Sequence, residues 1–273
     1  MLDHCEPHAL LGPGTSKIKV NVGRTLASPV LWVGLFFASL LLRMEALKPV
    51  FQWAFPGVEP AIYQRSSFLA LFLSHLALVA MASLAAISVG LSLAVFVTRP
   101  AGRDFRLMVN TLATVGQTLP PAAVLAIAVP VVGFGSRPTV LALFLYGLLP
   151  IIASAIAGLE GVPRAVREAA AGLGLSSWQA LRDVELPLAA PVILSGIRVS
   201  VTIAIGTATI GSTVGALTLG TPIFNGLVAD KLPFVIEGAV LVAFFAILTD
   251  LSFSGIERWL RRETRQTVSE TNP

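Results

Sequence analysis

The sequence predicts an all-α, polytopic membrane protein with about six transmembrane helices and both termini in the cytoplasm. Three observations predict it. Hydrophobic residues make up 55% of the 273-residue chain and charged residues only 12%, whereas a soluble domain carries about 25% charged residues. Mean hydropathy is +0.82. The apolar residues gather into six runs, and most of the cations gather between alternate runs.

The runs lie near 26–42, 68–97, 107–132, 140–159, 191–214 and 235–251. Crossing about 30 Å of hydrocarbon takes roughly 20 residues of helix, with 17 enough for a short span. Helix is the expected form because lipid offers no partner to a free backbone N–H or C=O. The run at 68–97 is longer than a span requires, so it should tilt or project. Pro120 and Pro121 fall inside the third run, where proline frees a carbonyl and bends the axis. After the first run the chain reads Leu42-Arg43-Met44-Glu45, with no A-x-A-like cleavage site, so this run is expected to stay as an anchor.

The cations assign sides. Lys17, Lys19, Arg24, Arg99, Arg103, Arg106, Arg164, Arg167, Arg182, Arg258, Arg261, Arg262 and Arg265 fall on one side. Arg43, Lys48, Arg65, Arg137 and Lys231 fall on the other, and Arg198 lies within the fifth run. The richer side is the cytoplasmic one. Topology thus accounts for the net charge of +4. No basic face interleaved with aromatics is visible, so nucleic acid is excluded as a partner and membrane lipid is the expected surrounding. Cys5 is the sole cysteine and cannot form an internal disulfide. The chain divides into a cytoplasmic segment 1–25, a first span with its external loop at 26–66, a core of five spans at 67–257, and a cytoplasmic tail at 258–273.

Within the core, the cytoplasmic loop 160–190 reads as two short helices. Pro163 suits a first turn. Gly172 and Gly174 supply a stop, because glycine accepts the left-handed conformation that ends helices. Ser176 or Ser177 can cap the next helix near Trp178. Such a loop looks like a docking surface. It also carries Glu168-Ala169-Ala170, then Gly174, then Val184, then Leu186-Pro187, at separations of three, nine and one intervening residues. This pattern resembles the signature of permease subunits from binding-protein-dependent ABC importers, with Val184 where the pattern has Ile.

The resemblance implies a type I ABC importer permease fold in a bacterial inner membrane. Glu168, Ala169, Ala170, Gly174, Val184, Leu186 and Pro187 would form the coupling loop that docks on a separate cytoplasmic ATPase subunit. The further partners implied are a second permease copy or homologue and a periplasmic or lipid-anchored substrate-binding protein. Segments 116–121 and 143–151, Arg198 followed by 205–210, and segment 219–224 are similar to permeases of osmoprotectant importers. These carry glycine betaine, choline, carnitine or proline betaine. A permease for another small solute, such as an amino acid, is the alternative.

Polar groups within the spans are the pore candidates: Gln117, Pro120, Tyr146, Thr207, Thr209 and Glu237. Glu237 is expected to face a wet vestibule, and Asp250 to pair with Arg258 or a partner. Arg198 is expected near the cytoplasmic end of its span. His75 reads as a satisfied polar contact rather than a ligand. Gly206, Ala208 and Gly211 allow close helix packing. No catalytic constellation and no metal set appears: H-E-x-x-H and G-x-S-x-G are absent, and His4 and His8 lie ahead of the first span. No Gly-Lys pair occurs, so the chain has no P-loop, and ATP-Mg is expected on the partner subunit with no cofactor on this chain. A secondary transporter would show repeats and a midplane acid, and neither is evident.

Overall fold

The computed structural model describes residues 29–269. The expectations for 1–25 and for the last residues of the tail lie outside the described residues, including those for Cys5, His4, His8, Lys17, Lys19 and Arg24. The described chain is helical, with no strand. Helix α1 (Pro29–Arg43) runs through a tight turn at Met44–Leu47 into α2 (Lys48–Ala54). Then come α3 (Phe68–Thr98), α4 (Arg106–Thr118), α5 (Pro121–Val132) and α6 (Ser136–Glu160). The loop 160–190 holds α7 (Arg164–Gly172) and α8 (Ser177–Ala180). After it come α9 (Leu186–Ile210), α10 (Gly220–Val228) and α11 (Leu232–Ser269). Five helical stretches are long and apolar enough to cross a membrane, and a sixth crossing exists if α4 and α5 count as one.

The third apolar run corrects the sequence reading. It is not one helix: α4 and α5 meet at 97°. The cause is local. Leu119 and Pro120 are both extended, with ψ of 133° and 138°. A residue before proline is pushed out of the α region, and two successive prolines do this twice. Pro121 then opens α5, where its missing N–H leaves nothing unpaired. The fifth run is also longer than read. Its helix starts at Leu186 and continues through Pro191.

α6 lies at the centre and packs most extensively against α3 and α9. The α6–α9 contact is an antiparallel seam of small residues. A β-carbon placed on Gly147 would sit 2.7 Å from Ser200, and one on Gly158 would sit 3.1 Å from the Ala189 carbonyl. One on Gly196 would sit 2.4 Å from Ser154 and 2.6 Å from the Pro150 carbonyl. Lipid is as apolar as leucine, so helices associate here by close approach. Two apolar clusters flank the seam. One joins α1, α3 and α11 through Phe37, Leu71 and Phe245, with Phe72 edge-on to Phe245 at 5.1 Å. The other joins the loop-side ends of α3, α4, α6 and α9 through Val97, Val109, Ile156 and Ala189. Large apolar side chains such as Trp32, Leu84, Leu112 and Val131 point outward, the inverse of a soluble surface and the expected lipid contact.

At the end opposite the loop, the chain turns back between α9 and α11. α10 is nine residues long and packs on α11. The strand of loop before it is buried, with Thr218 and Leu219 at 0% exposure. Its polar groups are therefore paired. The Gly220 N–H donates to Thr218 Oγ1 at 3.0 Å, and the Thr218 N–H donates to Thr221 Oγ1 at 3.1 Å. The Leu219 N–H donates to His75 Nδ1 at 3.2 Å, and His75 Nε2 lies 3.2 Å from the Ile205 carbonyl. With Nδ1 accepting, the proton sits on Nε2 and donates to Ile205. His75 thus joins α3, α9 and the start of α10, the satisfied polar contact the sequence reading expected.

Candidate functional site

The loop between α6 and α9 is built from its own capping chemistry. α7 ends in a Schellman arrangement: the Gly174 N–H donates to Ala171 at 3.0 Å and the Leu175 N–H to Ala170 at 3.2 Å. Gly174 has φ of +79°, a conformation that a side chain strains. Ser176 and Gln179 form a reciprocal capping box that starts α8. A wide turn, Leu181–Glu185, then feeds α9 without a break in helical winding.

This local order sorts the seven signature residues. Glu168 is exposed and pairs with Arg164 at 2.7 Å, one turn away. Ala169, Gly174 and Pro187 are exposed, while Val184 and Leu186 are half-buried. Ala170 is buried, as is Leu181 just outside the signature. Leu181 packs into the apolar cluster at the loop-side ends of the spans, while Leu173 and Trp178 stand out at 81% and 67% exposure. Space beside Gly174 is open. The sequence reading named Trp178 only as a helix start and did not single out Leu173. Two large apolar side chains in a loop rich in alanine, glycine and charge were the available signal.

The base of the loop is clamped. Arg99, at the end of α3, forms a two-pronged bridge to Glu185, with Nη1 to Oε1 at 3.2 Å. The Glu185 side chain is only 6% exposed. Arg106 bridges Glu160 in the same two-pronged way, with Nη2 to Oε2 at 3.0 Å. Arg167 donates to the Val162 carbonyl at 3.0 Å. Arg99 and Glu185 are 86 residues apart, and no sequence pattern marks them as partners.

Within the membrane, Gln117 Nε2 donates to the Tyr146 carbonyl at 2.6 Å. That carbonyl is free for a clear reason. Its helical partner would be the N–H of residue 150, which is proline. Gln117 therefore replaces a missing backbone bond and ties the broken α4–α5 element to α6. In lipid an unpaired carbonyl is costly. Gln117→Leu should lower stability by about 1–3 kcal/mol, read as a reduced melting temperature in detergent. No shift would mean another group satisfies Tyr146.

The other pore candidates separate. Pro120 is exposed at the α4–α5 break. Tyr146 is buried, and its hydroxyl has no hydrogen-bond partner. Thr207 is 9% exposed and points into the bundle. Thr209 lies on the opposite, open face of α9 and bonds back to the Gly206 carbonyl at 2.6 Å. Glu237 does not face a vestibule. It is 1% exposed, and Oε2 accepts the Tyr63 N–H at 3.0 Å. The reason is the segment before α3, which folds over this end of α11 and brings Tyr63 against Phe234. Asp250 does not pair with Arg258. It takes Arg198 two-pronged, at 2.6 and 2.7 Å, because Arg198 is the thirteenth residue of α9 and not near its end. Gly211 is closely packed against Thr139, whereas Gly206 is open. Among the described residues, no group of three metal-ligating side chains converges.

The site is a loop with its own caps, clamped to a polytopic helical bundle with a broken third span. Comparison with known proteins gives the class. Residues 86–266 match the family model described as binding-protein-dependent transport system inner membrane component. The osmoprotectant import permease protein OsmY of Salmonella typhimurium is 40% identical over 228 residues, covering 84% of this chain and 95% of that protein. The glycine betaine/carnitine/choline transport system permease protein OpuCB of Bacillus subtilis is 39% identical, covering 57% of this chain and 72% of its own length. Among solved structures, a chain of the MetNI methionine ABC transporter in inward-facing conformations superposes with a TM-score of 0.64 at 20% identity. It covers 70% of this chain and 95% of that one, which shows the fold. This chain belongs to the family of binding-protein-dependent transport system inner membrane components. It is a multi-pass inner-membrane permease of an ABC importer.

Proposed function

We propose that this chain forms the membrane path for a small compatible solute, such as glycine betaine, choline or a related quaternary amine. The observation that carries the substrate class is the 40% identity to an osmoprotectant permease across 84% of the chain. The loop 160–190 faces the cytoplasm, and ATPase subunits that bind ATP-Mg dock on it. Leu173, Gly174 and Trp178 make the contact, with Glu168, Ala169, Ala170, Val184, Leu186 and Pro187 shaping it. Two permease copies, or this one with a homologue, pair in the membrane, and a substrate-binding protein delivers solute from the far side. Energy enters when the ATPase pair closes and moves the loop. The Arg99–Glu185 clamp and the continuous turn into α9 make loop and bundle one mechanical unit, so the motion reaches the spans. Gln117, Pro120, Tyr146, Thr207, Thr209 and Glu237 remain the candidate path residues, with Pro120 exposed and Gln117 and Thr209 half-buried.

The test is ATP-dependent uptake of labelled glycine betaine into proteoliposomes holding this chain, its ATPase and its binding protein. Uptake competed by choline or carnitine supports the reading. ATPase stimulation by an amino acid instead, with no betaine uptake, would keep the importer and replace the substrate class. The docking contact has its own prediction. Leu173→Asp and Gly174→Asp should insert and fold, since Leu173 is already exposed and the space beside Gly174 is open, with Gly174→Asp adding local strain at its φ of +79° and Leu173→Asp none. Each should cut solute-stimulated ATP hydrolysis by about tenfold or more, through a charge set in an apolar contact. Wild-type stimulation in both variants would remove this surface from the contact.

A further inference from the structure

We propose that Arg198 and Asp250, with the groove beside them, form a solute subsite part-way along the membrane path. It takes a small dipolar molecule bearing a carboxylate and a cationic ammonium. The inference rests on the transport reading above and adds a location and a recognition chemistry to it.

Depth is the first observation. Arg198 follows Glu185 by thirteen residues in continuous helical winding, about 20 Å along the axis at 1.5 Å per residue. The Arg99–Glu185 clamp marks the loop end of the bundle, and Asp250 lies eighteen residues into α11 from its far end at Leu232, about 27 Å, so the pair sits inside the membrane-spanning stretches toward their loop side. Openness is the second. The Arg198 and Asp250 side chains are 30% and 41% exposed, on a groove of about 320 Å³ lined by Ser195, Val199, Thr202 and Ile203. That volume is in the range of small-molecule sites. The groove, more than exposure alone, sets this pair apart, since Arg106 and Glu160 at the base of the loop are also 43% exposed.

Charges at this depth face water or a bundle interior, not lipid. The rest of the face agrees. Ser195, Thr202, Gly206 and Thr209 follow at steps of seven, four and three residues on one side of α9, and all four are exposed or half-buried. The path therefore runs along this strip, with the ion pair on its flank.

The charges choose the ligand. Arg198 binds Asp250 through Nε and Nη2. Nη1 lies 3.6 Å from Glu257, beyond a direct hydrogen bond, so it retains donor capacity. One guanidinium stands among two carboxylates. A dipolar solute lies antiparallel to the Arg198–Asp250 pair, its carboxylate on the guanidinium and its ammonium toward Asp250 and Glu257. A purely cationic solute uses only the acidic half.

The experiment uses the full importer complex in proteoliposomes and compares maximal uptake rates of glycine betaine and choline. Arg198→Gln should lower the glycine betaine rate by about tenfold relative to choline, the loss of one charge-assisted contact. Asp250→Asn should lower both. Equal losses of both solutes in Arg198→Gln, or unchanged rates in both variants, would overturn the subsite in favour of a structural tie. Should these variants fail to assemble, Ser195→Cys in a Cys5→Ser chain decides the matter. Labelling by a charged, water-soluble thiol reagent, slowed by glycine betaine, is expected. No labelling, or labelling indifferent to solute, would overturn the proposal. A wild-type complex that hydrolyses ATP but imports neither solute would overturn the substrate reading, and the subsite with it.

Discussion

Glu185→Ala should uncouple the importer and destabilise it together. Glu185 is buried at the base of the loop and meets Arg99 through two contacts. Removing one partner of such a pair leaves the other charge without compensation, at a cost of about 3–5 kcal/mol. Arg99 is 28% exposed, so solvent offsets part of that cost, and the lower end of the range is the expectation. The functional loss should be larger than the stability loss. The clamp is the one salt bridge joining the end of α3 to the turn that enters α9, and without it the loop can move while the spans stay still. Arg99→Ala should give the same pair of effects. The double variant should be little worse than either single one, since the two share an interaction. The check is thermal unfolding beside the ratio of solute imported to ATP hydrolysed. A Glu185→Ala protein with normal coupling would show that the loop needs no clamp.

Gly196→Leu should prevent the bundle from closing. A β-carbon at this position meets not only Ser154 but the Pro150 carbonyl at 2.6 Å, which is backbone and cannot turn away. A leucine must therefore force α6 and α9 apart along a seam where Gly147 and Gly158 are also in close contact. Overpacking a helical contact costs about 1–3 kcal/mol when side chains can adjust. Here the expected loss is about 3 kcal/mol or more, because the obstacle is main chain. The readout is recovery of monodisperse protein in detergent after expression. Gly206→Ala is the contrast. Nothing lies within 4 Å of its added carbon, so it should leave the fold intact and gain up to about 1 kcal/mol of helix propensity. Equal behaviour of Gly196→Leu and Gly206→Ala would mean the seam is not close-packed.

Much of this was written in the chain. The apolar runs had to be helices because lipid leaves the backbone no other partner. The loop's two helices and their stops followed from Pro163, Gly174 and Ser176, whose chemistry is local. The signature spacing carried the family resemblance, and the family match covers it. His75 was read correctly as a polar contact because a lone histidine on an apolar face has few other roles.

What the sequence could not settle were events that depend on two distant residues meeting. Pro150 leaves the Tyr146 carbonyl without its helical N–H, and nothing in the sequence says that Gln117 arrives to take it. It showed two prolines at 120 and 121, yet a mild bend and a 97° break read alike until Leu119 and Pro120 are seen extended together. It placed Glu237 in water because the run ended nearby, while the segment before α3 covers it. Arg198 and Asp250 were assigned separate fates, Arg99 was read only as a cytoplasmic cation and Glu185 was not singled out, because pairing across a bundle leaves no period in the chain. Composition, periodicity and capping therefore determined the class, the spans and the loop. Only the tertiary structure decided which charges meet, which carbonyls are satisfied and which face of α9 stays open, because each depends on how helices distant in sequence are brought to van der Waals contact.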